Sequence, residues 1–191
     1  MQPRFALDLL WVVWVVSWYA VAAWSDRVGS RASSSSQVAY RVLAILGALL
    51  LFPRSRFGHS WIDFWNMGPG VAWALVTVAV AGFLFAWWAR ITLGALWSSS
   101  VTKKADHHLV ETGPYAIVRH PIYTGLMLAI VATALFKGTL PALVGGALMI
   151  AGCWSKARLE ERFLREELGS ETYDSYRRRV PMLVPFGPKA A

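Results

Sequence analysis

The residue types able to do chemistry crowd into two stretches. In one, Arg119, His120, Pro121 and Tyr123 follow Gly113, Pro114 and Tyr115; in the other, Glu160 and Glu161 stand in a run of helix formers ending at Gly169. At about 100° per residue, Leu159 and Phe163 flank one side of Glu160 while Leu164 and Leu168 flank the other, so its carboxylate sits in the middle of an apolar stripe. A carboxylate there needs a partner. The ordinary partner is Lys156 one turn earlier, or solvent; the functional one is the ammonium or ribose of a bound cofactor. Glu161 and Arg165 stand in the order that favours a surface pair. Arg119-His120-Pro121 also has a plain structural reading, with Pro121 starting a helix and Gly113-Pro114 making a bend. His107 and His108 are adjacent rather than spaced to share a helix face, and the single Cys153 lies in an apolar run, so neither a metal site nor a disulfide framework is expected.

The elements that must position these groups are apolar. The chain has 191 residues, 56% of them hydrophobic, with eleven Trp, more than one soluble core of this size would hide. The pattern predicts an all-α integral membrane protein of about five transmembrane helices in a single domain, 1–191. Residues 1–90 supply three of them: Phe5–Trp24, Val38–Phe52 and Val71–Trp88, the last ending at Arg90. Phe5–Trp24 reads as a retained anchor rather than a cleavable leader: its helix would span roughly 30 Å, and Asp8 spoils the positive flank expected of a leader. Arg41, in the first turn of the second segment, can snorkel to the headgroups. Trp61, Phe64 and Trp65 suit an interfacial aromatic belt or one turn of interfacial helix.

Residues 91–191 form the half that carries chemistry. A polar loop, 97–120, leads to two shorter apolar runs, Ile122–Phe136 and Leu140–Trp154, joined by Lys137-Gly138-Thr139 as a tight helical hairpin. The second run has no stop signal at Trp154 and is expected to continue as a helical extension into the cytoplasm. With the C-terminus inside, fifteen Lys and Arg fall on the cytoplasmic side and four (Arg4, Arg54, Arg56, Lys137) on the other. The loop at 97–120 and the tail from 155 then share one face. The net charge of +8 is scattered beside apolar segments, which points to a bilayer surface and away from nucleic acid.

The stretch Asp106–Gly125 resembles the isoprenylcysteine carboxyl methyltransferase family and its phospholipid N-methyltransferase relatives. Leu109-Val110, Gly113-Pro114-Tyr115 and Arg119-His120-Pro121-x-Tyr123-x-Gly125 carry the likeness. Arg158-x-Glu160-Glu161, Leu164, Tyr173, Tyr176 and Arg179-Val180-Pro181 look like the same family's second half. The resemblance covers about residues 90–186.

It implies S-adenosylmethionine as cofactor, held between the 107–125 segment and the start of the cytoplasmic extension. His107, Leu109, Val110, Gly113, Tyr115, His120, Tyr123, Glu160 and Glu161 are then the cofactor-binding candidates. Arg119 and Arg179 are the candidates for gripping an acidic acceptor, since a guanidinium binds a carboxylate bidentately. An isoprenylcysteine-like α-carboxylate is the first acceptor implied, a lipophilic small molecule or prenylated chain met at the bilayer. It is already ionised at neutral pH and needs no base. A phospholipid amine, thiol or hydroxyl is the alternative, for which Tyr123, His120 or a Glu would take a proton. Met182 stands where many relatives carry a basic residue, and the additional helices of the eukaryotic enzymes are missing; both differences bear on acceptor recognition. Two other classes stay open: a membrane reductase, whose sterol-reducing members share a similar Arg-His-x-x-Tyr-x-Gly stretch, and a non-catalytic membrane protein.

Overall fold

The computed structural model of the chain describes residues 2–22, 30–31, 34–52, 64–65, 67–94, 102–103 and 109–189. Their order is α1 (Pro3–Ala22), β1 (Ser30–Arg31), α2 (Ser34–Leu51), α3 (Pro69–Leu93), β2 (Thr102–Lys103), a 3₁₀ turn (Gly113–Ala116), α4 (Pro121–Lys137), α5 (Leu140–Leu168) and α6 (Ser170–Arg179). Proline stands in the first turn of α1, α3, α4 and α5, where its missing N–H costs no helical bond. Gly138 closes α4 in the left-handed region at φ 61°, and the Thr139 side chain caps α5 by accepting from the Ala142 N–H at 3.3 Å. The hairpin expected at Lys137-Gly138-Thr139 is therefore formed.

Among the described residues, three helices are long and apolar enough to cross a membrane, spanning Pro3–Val21, Pro69–Leu93 and Leu140–Leu168; Gln37–Leu51 and Pro121–Lys137 are shorter apolar helices. Their outward faces expose Val12, Val16, Leu49, Leu84 and Ile91, a surface suited to lipid rather than water. Helix α5 is about 44 Å long, against roughly 30 Å of bilayer hydrocarbon. It runs unbroken from the apolar segment into the polar one, as the missing stop signal at Trp154 implied.

Close helix contacts depend on glycine. Gly82 of α3 and Gly125 of α4 face each other so tightly that a Cβ on Gly125 would stand 2.9 Å from the Ala86 amide nitrogen. Gly47 of α2 and Gly145 of α5 approach equally closely, while Gly146 packs on Ala134 of α4, so the Gly145-Gly146 pair is spent inside the chain. Trp11 of α1 closes the core, its indole N–H donating to Thr133 Oγ1 at 2.9 Å and its ring lying edge-on to Phe52 and Phe83.

One expectation is revised, and the interfacial-helix alternative for the aromatic loop is not taken at Phe64 and Trp65. Arg90 does not end α3: the helix continues to Leu93, and the buried guanidinium donates to the carbonyls of Gly94 and Val21 at 2.7 and 3.3 Å, satisfying helix ends that would otherwise be orphaned. Phe64 and Trp65 are not helical. They lie on the α4–α5 hairpin, with the Phe64 N–H on the Gly138 carbonyl (2.8 Å) and the Trp65 indole N–H on that of Leu135 (2.9 Å); Trp61 is outside the described residues. Ser30 pairs with Lys103 and Arg31 with Thr102 in an antiparallel ladder, which brings these two short segments side by side.

Candidate active site

The site is assembled where α4 begins, α5 leaves the apolar bundle and the tail after α6 returns. Pro121 opens α4 and His120 is its N-cap residue. The backbone before it is fixed by the tail: Arg119 N–H donates to the Pro181 carbonyl (2.9 Å) and His120 N–H to that of Met182 (3.1 Å). Thr124 Oγ1 donates to the Leu183 carbonyl at 2.6 Å, and the Tyr176 hydroxyl to that of Tyr115 at 2.6 Å. Tyr173, Tyr176 and Val180 form an apolar cluster with Leu109, Leu164 and Leu168. The tail is thus held by backbone bonds on one side and by packed rings on the other.

Beneath this clamp lies a network of charges. Arg119 Nε donates to Glu161 Oε1 at 2.6 Å, and its Nη1 to the carbonyls of Arg177 (3.1 Å) and Val180. His120 lies between the two glutamates, Nε2 3.4 Å from Glu161 Oε1 and Nδ1 3.6 Å from Glu160 Oε2. The Tyr123 hydroxyl donates to Glu160 Oε1 at 2.6 Å and stacks its ring on the imidazole, 5.8 Å between centroids. Lys156 Nζ stands 3.9 Å from Glu160 Oε1, and Arg177 Nε 3.6 Å from Glu161 Oε2.

Burial alone would lower the pKa of His120, but the bonds and charges of Glu160 and Glu161 outweigh it and hold the imidazole above its ordinary range. His120 therefore holds its proton more tightly than a free imidazole does. Glu161 is the more buried carboxylate, with 10% of its side chain exposed against 22% for Glu160, so Glu160 presents the open edge of the pair.

The candidates named from sequence separate into groups. His120, Tyr123, Glu160 and Glu161 converge, with Arg119 behind them. Leu109 packs in the apolar cluster, Val110 beside it is half-buried, Tyr115 is buried under Tyr176, and Gly113 turns the chain at φ 58° against Thr92. Arg179 stands apart on the outer surface, its Nη2 2.7 Å from Glu111 Oε2. His107 lies outside the described residues. Glu161 does not make the surface pair with Arg165; Arg165 instead grips Asp174 of α6 bidentately, Nε donating to Oδ1 at 3.1 Å and Nη2 to Oδ2 at 2.7 Å. Sequence reasoning missed Tyr40, Thr124 and Arg177. Tyr40 had a signal, since Gln37, Tyr40 and Arg41 share one helix face at spacings of three and four.

These groups suit S-adenosylmethionine chemically. A carboxylate open on one side can take a ribose hydroxyl or an ammonium, and tyrosine rings can face an adenine. His120 Nε2 and Arg177 Nε are buried donors that face the Glu161 oxygens only at ion-pair distances, 3.4 and 3.6 Å.

Residues 74–166 match the model of the isoprenylcysteine carboxyl methyltransferase family. Protein-S-isoprenylcysteine O-methyltransferase B of Arabidopsis thaliana is 28% identical over 76% of this chain and 70% of its own length. Methanethiol S-methyltransferase 2 of Bradyrhizobium diazoefficiens is 45% identical over a shorter segment, 37% of this chain and 26% of that protein. The structure of the eukaryotic intramembrane Ras methyltransferase has the same fold over 81% of this chain, with a TM-score of 0.54 and 24% identity; this chain spans about half of it, 54%.

Proposed function

We propose that this chain belongs to the isoprenylcysteine carboxyl methyltransferase family, which its residues 74–166 match, and that it is an integral membrane enzyme transferring a methyl group from S-adenosylmethionine to a lipophilic acceptor, in first place an isoprenylcysteine-like α-carboxylate. The observation that carries this reading is the convergence of Glu160, His120 and Tyr123 where α4 and α5 leave the apolar bundle. We read α2 and α4 as crossing the bilayer as well, since each runs beside a longer span and packs on it through glycine. The excess of Lys and Arg supports a site on the cytoplasmic side.

Bound S-adenosylmethionine supplies an activated methyl on a sulfonium. The protein's part is holding and alignment. Glu160 presents the open carboxylate, with Tyr123 orienting it and His120 fixing it from behind; Glu161 holds His120 and Arg119 in place. Leu109, Val110, Gly113 and Tyr115 are assigned to the surrounding wall. Arg119 spends its guanidinium on Glu161 and two tail carbonyls, which favours a clamp role over a direct grip on the acceptor. Arg179 is the better candidate for that grip, because its exposed bond to Glu111 is exchangeable. A carboxylate acceptor arrives ionised, and the ring-lined, largely buried site keeps water from competing.

A thiol acceptor is the second reading, favoured by the 45% identity to the methanethiol enzyme. It needs a proton taken away, and Glu160 bonded to Tyr123 is the group placed to do so. Calorimetry of S-adenosylhomocysteine with detergent-purified protein, wild type beside Glu160→Ala, tests the cofactor site: saturable binding lost in the variant is expected. Product mass spectrometry with prenylcysteine and thiol acceptors separates the two readings. Folded wild type that binds no adenosyl ligand would restore the reductase and non-catalytic readings.

A further inference from the structure

Lys156 occupies a position that a solvated surface lysine would not. Its Nζ lies 5.5 Å from the centroid of the Tyr123 ring and 5.6 Å from that of Tyr40, within the range of a cation–π contact to both, and 3.9 Å from Glu160 Oε1. The Lys156 side chain is 17% exposed. Two aromatic faces and one carboxylate around a single cation form the arrangement that recognises onium groups.

Tyr40 comes from α2, outside the residues 74–166 that match the family. Its ring is held in place rather than free to turn: the hydroxyl donates to Gln37 Oε1 at 3.2 Å, and Arg41 Nη2 donates to the same oxygen at 2.8 Å. Gln37 and Tyr40 are both buried. On the other side, Tyr123 is fixed by its bond to Glu160. The walls therefore stay in place whichever cation stands between them.

We propose that Tyr40, Tyr123 and Glu160 form a cation cage for the sulfonium of the methyl donor, and that Lys156 fills this cage in the ligand-free chain and leaves it when the donor binds. The inference rests on the methyl-donor reading and adds a selection by charge. The donor carries a positive sulfur able to replace the ammonium, whereas the spent product carries a neutral thioether that gains nothing from the rings and binds with Lys156 left in place. The two rings thus favour the donor over the product, and Lys156 competes with the donor for them.

The test compares two ligands by calorimetry on the detergent-purified full chain: sinefungin, which carries an ammonium where the donor carries its sulfonium, and neutral S-adenosylhomocysteine. Lys156→Met is expected to tighten sinefungin about tenfold, the scale of one favourable charge–ring contact, while moving S-adenosylhomocysteine by less than about twofold. Tyr40→Leu should lower the preference for sinefungin by about three- to tenfold, and Tyr40→Phe, which keeps the ring, should retain it. If Lys156→Met shifts both ligands equally, or Tyr40→Leu leaves their ratio unchanged, the cage is wrong although the donor site stands. Folded wild type that binds neither ligand overturns the donor reading and the cage together.

Discussion

Arg119 and Glu161 are joined across 42 residues of sequence by a bond of 2.6 Å, with 4% and 10% of their side chains exposed. The guanidinium also holds the carbonyls of Arg177 and Val180, so one side chain ties α4, α5 and the end of α6 together. Removing one partner strands a buried charge. Arg119→Ala is expected to destabilise the protein by about 3–5 kcal/mol and to undock the tail. The measurements are thermal unfolding in detergent and tryptic cleavage after Arg177, Arg178 and Arg179, which should accelerate in the variant. Arg119→Lys should fall between, because an ammonium lacks the fork that reaches carboxylate and carbonyls at once. An unchanged melting curve and cleavage rate for Arg119→Ala would mean that the aromatic cluster alone docks the tail.

The crossing of α3 and α4 admits no side chain at Gly125, where a Cβ would press on the Gly82 carbonyl and stand 2.9 Å from the Ala86 nitrogen. Both obstacles are backbone, so relief requires the helices to move apart. Gly125→Ala should cost about 1–3 kcal/mol, read as a lower unfolding temperature in detergent. Gly70→Ala is the control, at a helical position with open space around it, and should be neutral or stabilising by up to about 1 kcal/mol. Equal effects of the two substitutions would dismiss close packing as the reason for Gly125.

The upward shift of the His120 pKa gives the protein a defined pH response. Burial opposes its charge, and the two glutamates more than offset that, so the folded state holds the proton more tightly than the unfolded chain does. The sign follows: this contribution is complete below about pH 6.5, the ordinary histidine value, and disappears as pH rises through the elevated folded value. The gap in unfolding temperature between wild type and His120→Asn should therefore be wider at pH 6 than at pH 9. A gap that stays constant, or widens with pH, would show a neutral imidazole between Glu160 and Glu161.

Local pattern revealed much of this arrangement and could not reveal the rest. Glu160 at the centre of an apolar stripe announced its need for a partner, and Pro121 and Gly138 marked the ends of α4, because helical spacing and caps are properties of short stretches. The start of α2 was placed too late: Ser34 to Ser36 looked like loop, yet they form its first turn, a place serine tolerates well. The partner of Arg119 was out of reach for a different reason. A bond across 42 residues to Glu161, and backbone bonds to Pro181 and Met182, depend on how three elements meet and leave no periodic trace. Tyr40 entered the site the same way, through the packing of α2 on α5 at Gly47 and Gly145.

Arg179 offers the sharpest separation of acceptor binding from folding. Its side chain is 59% exposed and its bond to Glu111 is a surface pair, worth at most about 1 kcal/mol. Arg179→Ala should leave the unfolding temperature and S-adenosylhomocysteine affinity nearly unchanged. If this guanidinium receives an acidic acceptor, the same variant should raise KM for a prenylcysteine carboxylate by about tenfold or more, the scale of one charge-assisted bond, with kcat little altered. Glu111→Gln should move KM the other way, since it frees Arg179 from its competitor without removing it. A prenylcysteine KM indifferent to both changes would take the acceptor away from Arg179 and favour recognition through the lipid tail alone.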